Sequence, residues 1–294
     1  SCHLAGFNQY KKKIMDYSSF IAQTLKLSSE IATSNFGKVK STIKENDNNQ
    51  VLTQTDLEIG KFIISKINKN YPTYNIIDEE SGIVDNKSEY TWVVDPIDGT
   101  SNFADGVPTY GIFLGLLKGA KSISGGIALP EFDQILIAGK DKGAFVNGQR
   151  IQVTQETDLS KVLVAYGIDK DIKSQDRTRE EVELIGEIIL RIRNLRISNS
   201  AFDPAMVAEG KYGAYLNQRS RIWDNVAQHV VIEEAGGVVT DFFGKPIDYS
   251  NPLNRVNQNF THCVGAPAIH RQIQKIITDF EKARILKKET EDKS

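Results

Sequence analysis

Apolar residues near helical spacing open the chain. Ile14, Tyr17, Ile21, Leu25 and Ile31 predict a long amphipathic helix from about Tyr10 to Phe36, with Gly37 as its stop. A polar segment, Glu45 to Gln50, follows. A second helix is expected from Thr55-Asp56, carrying Leu57, Phe62, Ile63 and Ile67 and ending before Pro72. The pattern then turns to short β-favouring runs: Tyr74 to Ile77, Thr91 to Val94, Tyr110 to Leu117, Ser122 to Ala128 and Gln134 to Ala138. Asn147-Gly148, between Ala144-Phe145-Val146 and Arg150 to Val153, predicts a tight hairpin. Beyond it come a charged helix at roughly Thr178 to Asn194, a strand at Leu195 to Ile197, a short helix around Pro204 to Glu209 and a strand at Gly213 to Leu216. A helix over Trp223 to Ala235 closes on Gly236-Gly237, and Val238 to Phe242 follows as a strand. The last helix is expected over Ala268 to Leu286, with a frayed tail, Lys287 to Ser294.

Mixed order with many strands suggests layered α and β elements, not a bundle or barrel. A chain of 294 residues, 40% hydrophobic and 25% charged, can bury a sizeable core. A formal charge of -2 excludes little by itself, but gives no reason to expect nucleic-acid or acidic-membrane binding. No apolar run approaches the roughly 20 residues that span a bilayer, and no charged-then-apolar leader pattern supports export. Cys2 and Cys263 sit at opposite ends of the chain. They read as two free thiols in a reducing cytoplasm.

The segment richest in chemistry is Trp92-Val93-Val94-Asp95-Pro96-Ile97-Asp98-Gly99-Thr100. An apolar strand delivers Asp95 at its end, Pro96 stiffens the backbone, and Asp98 arrives before a glycine. Two carboxylates with the Ile97 carbonyl between them suit a hard, oxygen-loving cation. Gly99 allows close backbone approach, and Thr100 to Asn102 can open a helix whose amides hold phosphate. An ordinary acidic turn has the same spacing. A second strand end, Ile76-Ile77, runs into Asp78-Glu79-Glu80, and Ile222-Trp223-Asp224 opens a helix. Asp224 and Asp56 each also fit a plain helix-start acid. His3, His229, His262 and His270 lie outside these segments and read as structural or surface. No serine-nucleophile, dinucleotide or P-loop pattern is present; Gly125-Gly126 forms neither of the latter two.

Asp78-Glu79-Glu80-Ser81, Trp92 to Phe103 and Trp223 to Gly237, in this order and separation, resemble the inositol monophosphatase family. That family belongs to the lithium-sensitive, magnesium-dependent phosphatase superfamily, with fructose-1,6-bisphosphatase and 3′-nucleotidase relatives. The resemblance covers roughly Tyr10 to Phe280. It implies an α+β, layered αβαβα sandwich: a single domain in two packed halves, roughly 9–150 and 151–286. It also implies a cytoplasmic homodimer that hydrolyses small sugar or polyol phosphates, inositol-1-monophosphate first, by attack of water activated by metal ions. Two or three Mg2+ ions per site are implied, with Mn2+ as a workable substitute.

Residue by residue, the resemblance makes Glu79 a metal ligand that helps orient the attacking water. Asp95 bridges two metals, and Ile97 contributes its carbonyl. Asp98 and Asp224 complete the second metal. Thr100 partners Glu79 in activating water, with Asp56 supporting it from behind. Gly99, Thr100 and Ser101 face the phosphate, and Ser200-Ala201 the substrate ring, with Asp203 beside them. Glu80 stays structural. The chain departs from the family pattern at Asn225 and Val226, where an apolar residue and alanine are usual. It departs again at Asn217, where inositol-specific members carry a glutamate that binds a ring hydroxyl. Arg219 and Arg221 follow Asn217 and suit a second phosphate or a carboxylate, or simply face solvent. Fructose 1,6-bisphosphate and 3′- or 2′-phosphorylated nucleotides therefore stand as alternative substrates. A non-catalytic regulatory protein on the same scaffold is a further alternative.

Overall fold

The structure is a computed structural model that describes residues 17–38, 41–43, 51–171 and 173–291. The start of the first expected helix, with Ile14, and the polar segment Glu45 to Gln50 lie outside the described residues.

Helix α1 (Tyr17–Asn35) leads to a small hairpin, β1 (Ser41–Ile43) and β2 (Val51–Thr53), and then to α2 (Gln54–Asn70). Eight strands follow: β3 (Asn75–Asp78), β4 (Gly82–Val84), β5 (Tyr90–Asp98), β6 (Gly111–Lys118), β7 (Lys121–Leu129), β8 (Gln134–Gly139), β9 (Gly143–Val146) and β10 (Gln149–Ile151), with a short helix α3 (Thr100–Ala104) after β5. They form one sheet in the order β10-β9-β8-β7-β6-β5-β3-β4, antiparallel except for the β3–β5 pair. The Asn147-Gly148 hairpin forms as expected, with φ of 47° and 81° at its two turn residues.

The second sheet has five strands, ordered β12-β11-β13-β15-β14. They are β11 (Leu163–Gly167), β12 (Asn194–Arg196), β13 (Ala214–Ser220), β14 (Val238–Thr240) and β15 (Phe260–Gly265). Between and around them run α4 (Gln175–Ile189), α5 (Phe202–Ala208), α6 (Ile222–Glu234) and α7 (Pro267–Glu291). Helices α1 and α2 cover one face of the large sheet. Helices α5 and α6 lie between the sheets, and α4 and α7 cover the outside of the small one. The result is the expected five-layer sandwich.

The packing that matters for the site is made by glycines. Gly115 on β6 and Gly125 on β7 are directly paired. A Cβ on Gly115 would stand 2.7 Å from Val226 Cγ1, and one on Gly125 would stand 2.8 Å from the Ala227 carbonyl oxygen. The bare backbone at these two positions lets α6 lie directly on the sheet. Gly126 points to the opposite face, where a Cβ would stand 2.6 Å from Ile21 of α1. Gly125-Gly126 is thus a packing pair, one residue for each helix layer, which fits the lack of a nucleotide-binding pattern.

Several boundaries differ from expectation. Strands β1 and β2, the exposed β4, β11 and β15 match no strand that the sequence predicts. Helix α7 runs to Glu291 instead of ending near Leu286, and the charged helix α4 ends at Ile189, well before Asn194. Asp95-Pro96-Ile97-Asp98, expected as a turn past a strand end, belongs to β5 itself. Its register shifts by one residue there: Asp95 faces Phe113 and Asp98 faces Gly111. Residues three apart in a regular strand point to opposite faces. The bulge inserts one unpaired residue and so brings both carboxylates to the same side. Pro96, which has no N–H to offer a ladder, is well suited to that place.

Candidate active site

The strand ends converge because β3 and β5 run parallel with Asp78 beside Val94. The Glu79 amide donates to the Val94 carbonyl at 3.2 Å, so Glu79 leaves its strand next to Asp95. From far along the chain, the start of α6 brings Asp224 against the same point. Asp95, Asp98 and Asp224 each offer a carboxylate oxygen, all within 4.8 Å of one another. Burial, then the charges of Glu79, Asp98 and Asp224, push the Asp95 carboxyl well above the ordinary carboxylate range. Asp98 is raised in the same way by burial, Asp224 and Glu79, against an opposing hydrogen bond from the Ala201 amide. Asp95 Oδ1 is buried with no hydrogen-bond partner among the described residues.

Acidic side chains clustered this closely, one buried and two half-buried, are costly unless a cation compensates them. The donor set is all oxygen and fits a hard divalent ion such as Mg2+. Glu79 borders the same cavity and acts on Asp95 and Asp98 through its charge, but it stands outside the three-carboxylate group.

Asp224 makes two kinds of contact at once. Its Oδ2 accepts the Arg221 amide at 2.6 Å, closing the first turn of α6, and it still takes part in the acidic cluster. Asp56 does likewise. Its Oδ2 accepts the Thr53 amide at 2.9 Å in a capping box, and its Oδ1 accepts from the Thr100 hydroxyl at 3.2 Å. That hydroxyl also lies 2.8 Å from the Ile97 carbonyl oxygen. Burial, opposed by the Thr53 hydrogen bonds, raises the Asp56 carboxyl to about 6.

Gly99 carries a φ of 88°, in the region that favours glycine. A Cβ there would lie 2.7 Å from Ser200 Cβ. Gly99→Ala is therefore expected to destabilise the fold by about 1–3 kcal/mol and to lower turnover at least tenfold; thermal melting and phosphate release measure the two effects.

Gly99, Thr100, Ser101 and Ser200 all border a cavity of 1180 Å³. Ala201 does not border it. Its methyl is buried and packs toward Gly111 of β6, while its amide donates to Asp98. Asp203 is likewise withdrawn. It accepts the Asn199 amide at 2.9 Å and shapes the turn that presents Ser200, and burial lifts its carboxyl to about 6.

Asn217, Arg219 and Arg221 line the cavity. The Arg219 guanidinium pairs with Glu181 and lies 3.5 Å from Asp171, so its charge is already matched. Among the described residues the Arg221 guanidinium reaches only the Asn257 carbonyl, at 2.9 Å in an exposed position. Sequence reasoning missed Tyr215 and His262, which also border the cavity. Asn225 offered a signal. A polar residue in an apolar position needs a buried partner, and that partner is His262, whose Nδ1 lies 2.9 Å from Asn225 Oδ1. Cys263 beside it is a buried free thiol. No helix among the described residues is long and apolar enough to cross a membrane.

Comparison with known proteins fits this geometry. The model of the inositol monophosphatase family matches residues 16–278. A fructose-1,6-bisphosphatase/inositol-1-monophosphatase of Thermotoga maritima is 30% identical over 90% of this chain and 97% of its own. Its counterpart from Aquifex aeolicus is 32% identical over 76% and 84%. Among solved structures, the Thermotoga maritima IMPase superposes with a TM-score of 0.80 at 27% identity, covering 92% of this chain and 99% of its own. The chain belongs to the inositol monophosphatase family, a family of metal-dependent enzymes that hydrolyse small phosphomonoesters.

Proposed function

We propose that this protein is a magnesium-dependent phosphatase of small sugar or polyol phosphates, with inositol 1-phosphate as its first substrate. The convergence of Asp95, Asp98 and Asp224 from two separate parts of the chain carries the reading. With Glu79 and the Ile97 carbonyl, these groups would hold the magnesium. The ion, when bound, supplies charge neutralisation for the phosphoryl oxygens and lowers the pKa of water.

The remaining work falls to side chains and amides. The Gly99 and Thr100 amides, with Ser101, bind the phosphoryl oxygens. The Thr100 hydroxyl proton is drawn toward Asp56 Oδ1, 3.2 Å away, and the Ile97 carbonyl, 2.8 Å away. This leaves the hydroxyl oxygen to accept a hydrogen bond from the attacking water. Glu79 accepts the other, so the two groups orient water along the line of attack. Ser200 borders the leaving group. The same reading carries a cytoplasmic homodimer, with manganese able to replace magnesium.

Fructose 1,6-bisphosphate is the second reading, favoured by Arg221 at the cavity wall and by the names of the Thermotoga and Aquifex relatives. Arg219 supports it less, being matched by Glu181 and Asp171. Arg221→Ala is expected to raise KM for the bisphosphate about tenfold and KM for inositol 1-phosphate by much less; equal changes would place Arg221 in solvent. A non-catalytic role finds no support in the acidic set, since Glu79, Asp95, Asp98 and Asp224, the carboxylates proposed to hold the metal, are all present. The deciding experiment is a panel of inositol 1-phosphate, fructose 1,6-bisphosphate and a 3′-phosphorylated nucleotide, each with magnesium. No phosphate release from any of them would sink the enzyme reading. Lithium, a small hard cation, is expected to inhibit turnover when titrated against magnesium; an unaffected rate would count against the proposed site.

A further inference from the structure

His262 is a buried side chain at the cavity, 1% exposed, that this chemistry does not use. Its proton can be placed from its neighbours. Asn225 Nδ2 lies 2.6 Å from the Arg221 carbonyl oxygen. A carbonyl only accepts, so the nitrogen end of the Asn225 amide is fixed there. The same Nδ2 lies 2.8 Å from Ser220 Oγ, whose own proton goes to the Phe260 carbonyl at 3.0 Å. Asn225 Oδ1 is then the acceptor facing His262 Nδ1 at 2.9 Å, and Nδ1 must carry the ring proton. Nε2 keeps a bare lone pair and has no hydrogen-bond partner among the described residues. Burial lowers the ring pKa from 6.5 to about 3, so no second proton arrives near neutrality. A buried acceptor without a donor is destabilising, which makes this lone pair a feature to be explained.

The strand register supplies a companion. Asn217 lies directly opposite His262 in the β13–β15 pair, so both side chains stand on the same face of the sheet. Asn217 Oδ1 accepts the Arg219 amide at 2.7 Å, and Nδ2 donates one proton to the Tyr215 hydroxyl at 3.2 Å. A primary amide has a second N–H, and this one makes no further hydrogen bond among the described residues. Two residues bordering the cavity thus hold a lone pair and an N–H on the same face of the sheet, the complement of one hydroxyl group, which donates to the first and accepts from the second.

We propose that His262 is a substrate-positioning residue: its Nε2 accepts a hydrogen bond from a hydroxyl of the polyol or sugar, while Asn217 donates to the same oxygen. This rests on the phosphatase reading above. It moves the hydroxyl acceptor from position 217, where the side chain is uncharged and its oxygen already engaged, across the ladder to position 262.

The test compares inositol 1-phosphate with phenyl phosphate, whose leaving group carries no further hydroxyl. In His262→Phe the ratio of kcat/KM for inositol 1-phosphate to that for phenyl phosphate should fall about tenfold, the worth of one hydrogen bond of ~1.4 kcal/mol, with the loss in KM. A ratio that stays put, whether both activities fall or neither does, overturns the proposal. Nitrogen-15 spectra of the wild-type histidines decide independently of whether the variant folds. One ring should be protonated at Nδ1 alone. Its Nε2 signal should move when myo-inositol is added with magnesium and phosphate, and not with magnesium and phosphate only. An unmoved signal, or a ring protonated at Nε2, overturns the proposal. Absence of wild-type turnover on both esters would instead strike the phosphatase reading, and the spectra would still judge the hydroxyl contact.

Discussion

Asp95→Asn is expected to lower turnover at least a thousandfold while leaving the metal-free protein as stable as before, or more so. The carboxylate oxygens of Asp95, Asp98 and Asp224 approach within 4.8 Å. At that separation and an effective dielectric of about 20, each pair of charges repels by roughly 3 kcal/mol. Burial and these neighbours already hold the Asp95 carboxyl well above its usual range. Asparagine keeps the shape and removes one charge, so the repulsion falls. It also removes an anionic ligand from the centre of the proposed metal site, and with it the charge that draws magnesium in. Melting curves with and without magnesium test both halves. The wild type should gain stability on adding the ion, because ligand binding to the native state stabilises it, and the variant should not. A variant less stable than the wild type without metal, or one with near-normal turnover, would show that Asp95 has a different role.

Gly125→Val should be the most damaging change away from the acidic cluster, costing on the order of 3 kcal/mol from overpacking. Its first carbon would meet Ala227 backbone of α6 at 2.8 Å, and backbone cannot rotate aside as a side chain does. Helix α6 also carries Asp224, so pushing it off the sheet moves one carboxylate away from the other two. Loss of magnesium affinity should accompany the loss of stability. Gly126→Val provides the contrast. It presses on Ile21 and Leu25 of α1, on the opposite face, and should cost stability with less effect on magnesium affinity. Chemical denaturation and magnesium titration of the two variants separate these outcomes; identical magnesium affinities would deny that α6 seating sets the site.

Much of this was legible in the residues. The hairpin at Asn147-Gly148 and the end of α6 at Gly236 follow from turn and cap chemistry, and α2, expected from Thr55-Asp56, starts one residue earlier at Gln54 behind its Thr53 cap. The three acidic segments were recognisable from their order. What escaped depends on partners far away in sequence. Whether Asp95-Pro96-Ile97-Asp98 is a turn or a bulged strand is decided by its pairing with Gly111 to Phe113, which no local pattern contains. Strands β11 and β15 are buried along nearly all of their length, so they lack the alternation that marks a half-exposed strand. The tail after Leu286 continues as helix because lysine and glutamate are good helix formers. Arg219 illustrates the same limit in the site. Its sequence neighbours suggested an anion-binding stretch, but Glu181, 38 positions away, matches its charge. His262 stood outside every motif and joined the cavity only through the register that sets it opposite Asn217.

The central claim is that Asp95, Asp98 and Asp224 form a metal site that drives phosphate ester hydrolysis. It is tested most directly by measuring phosphate release from inositol 1-phosphate while magnesium is titrated into metal-free protein. The account predicts no release in the presence of a chelator and saturable activation as magnesium is added, lost in Asp224→Asn. Release that persists without a divalent ion, or that survives the Asp224→Asn substitution at full rate, would contradict it.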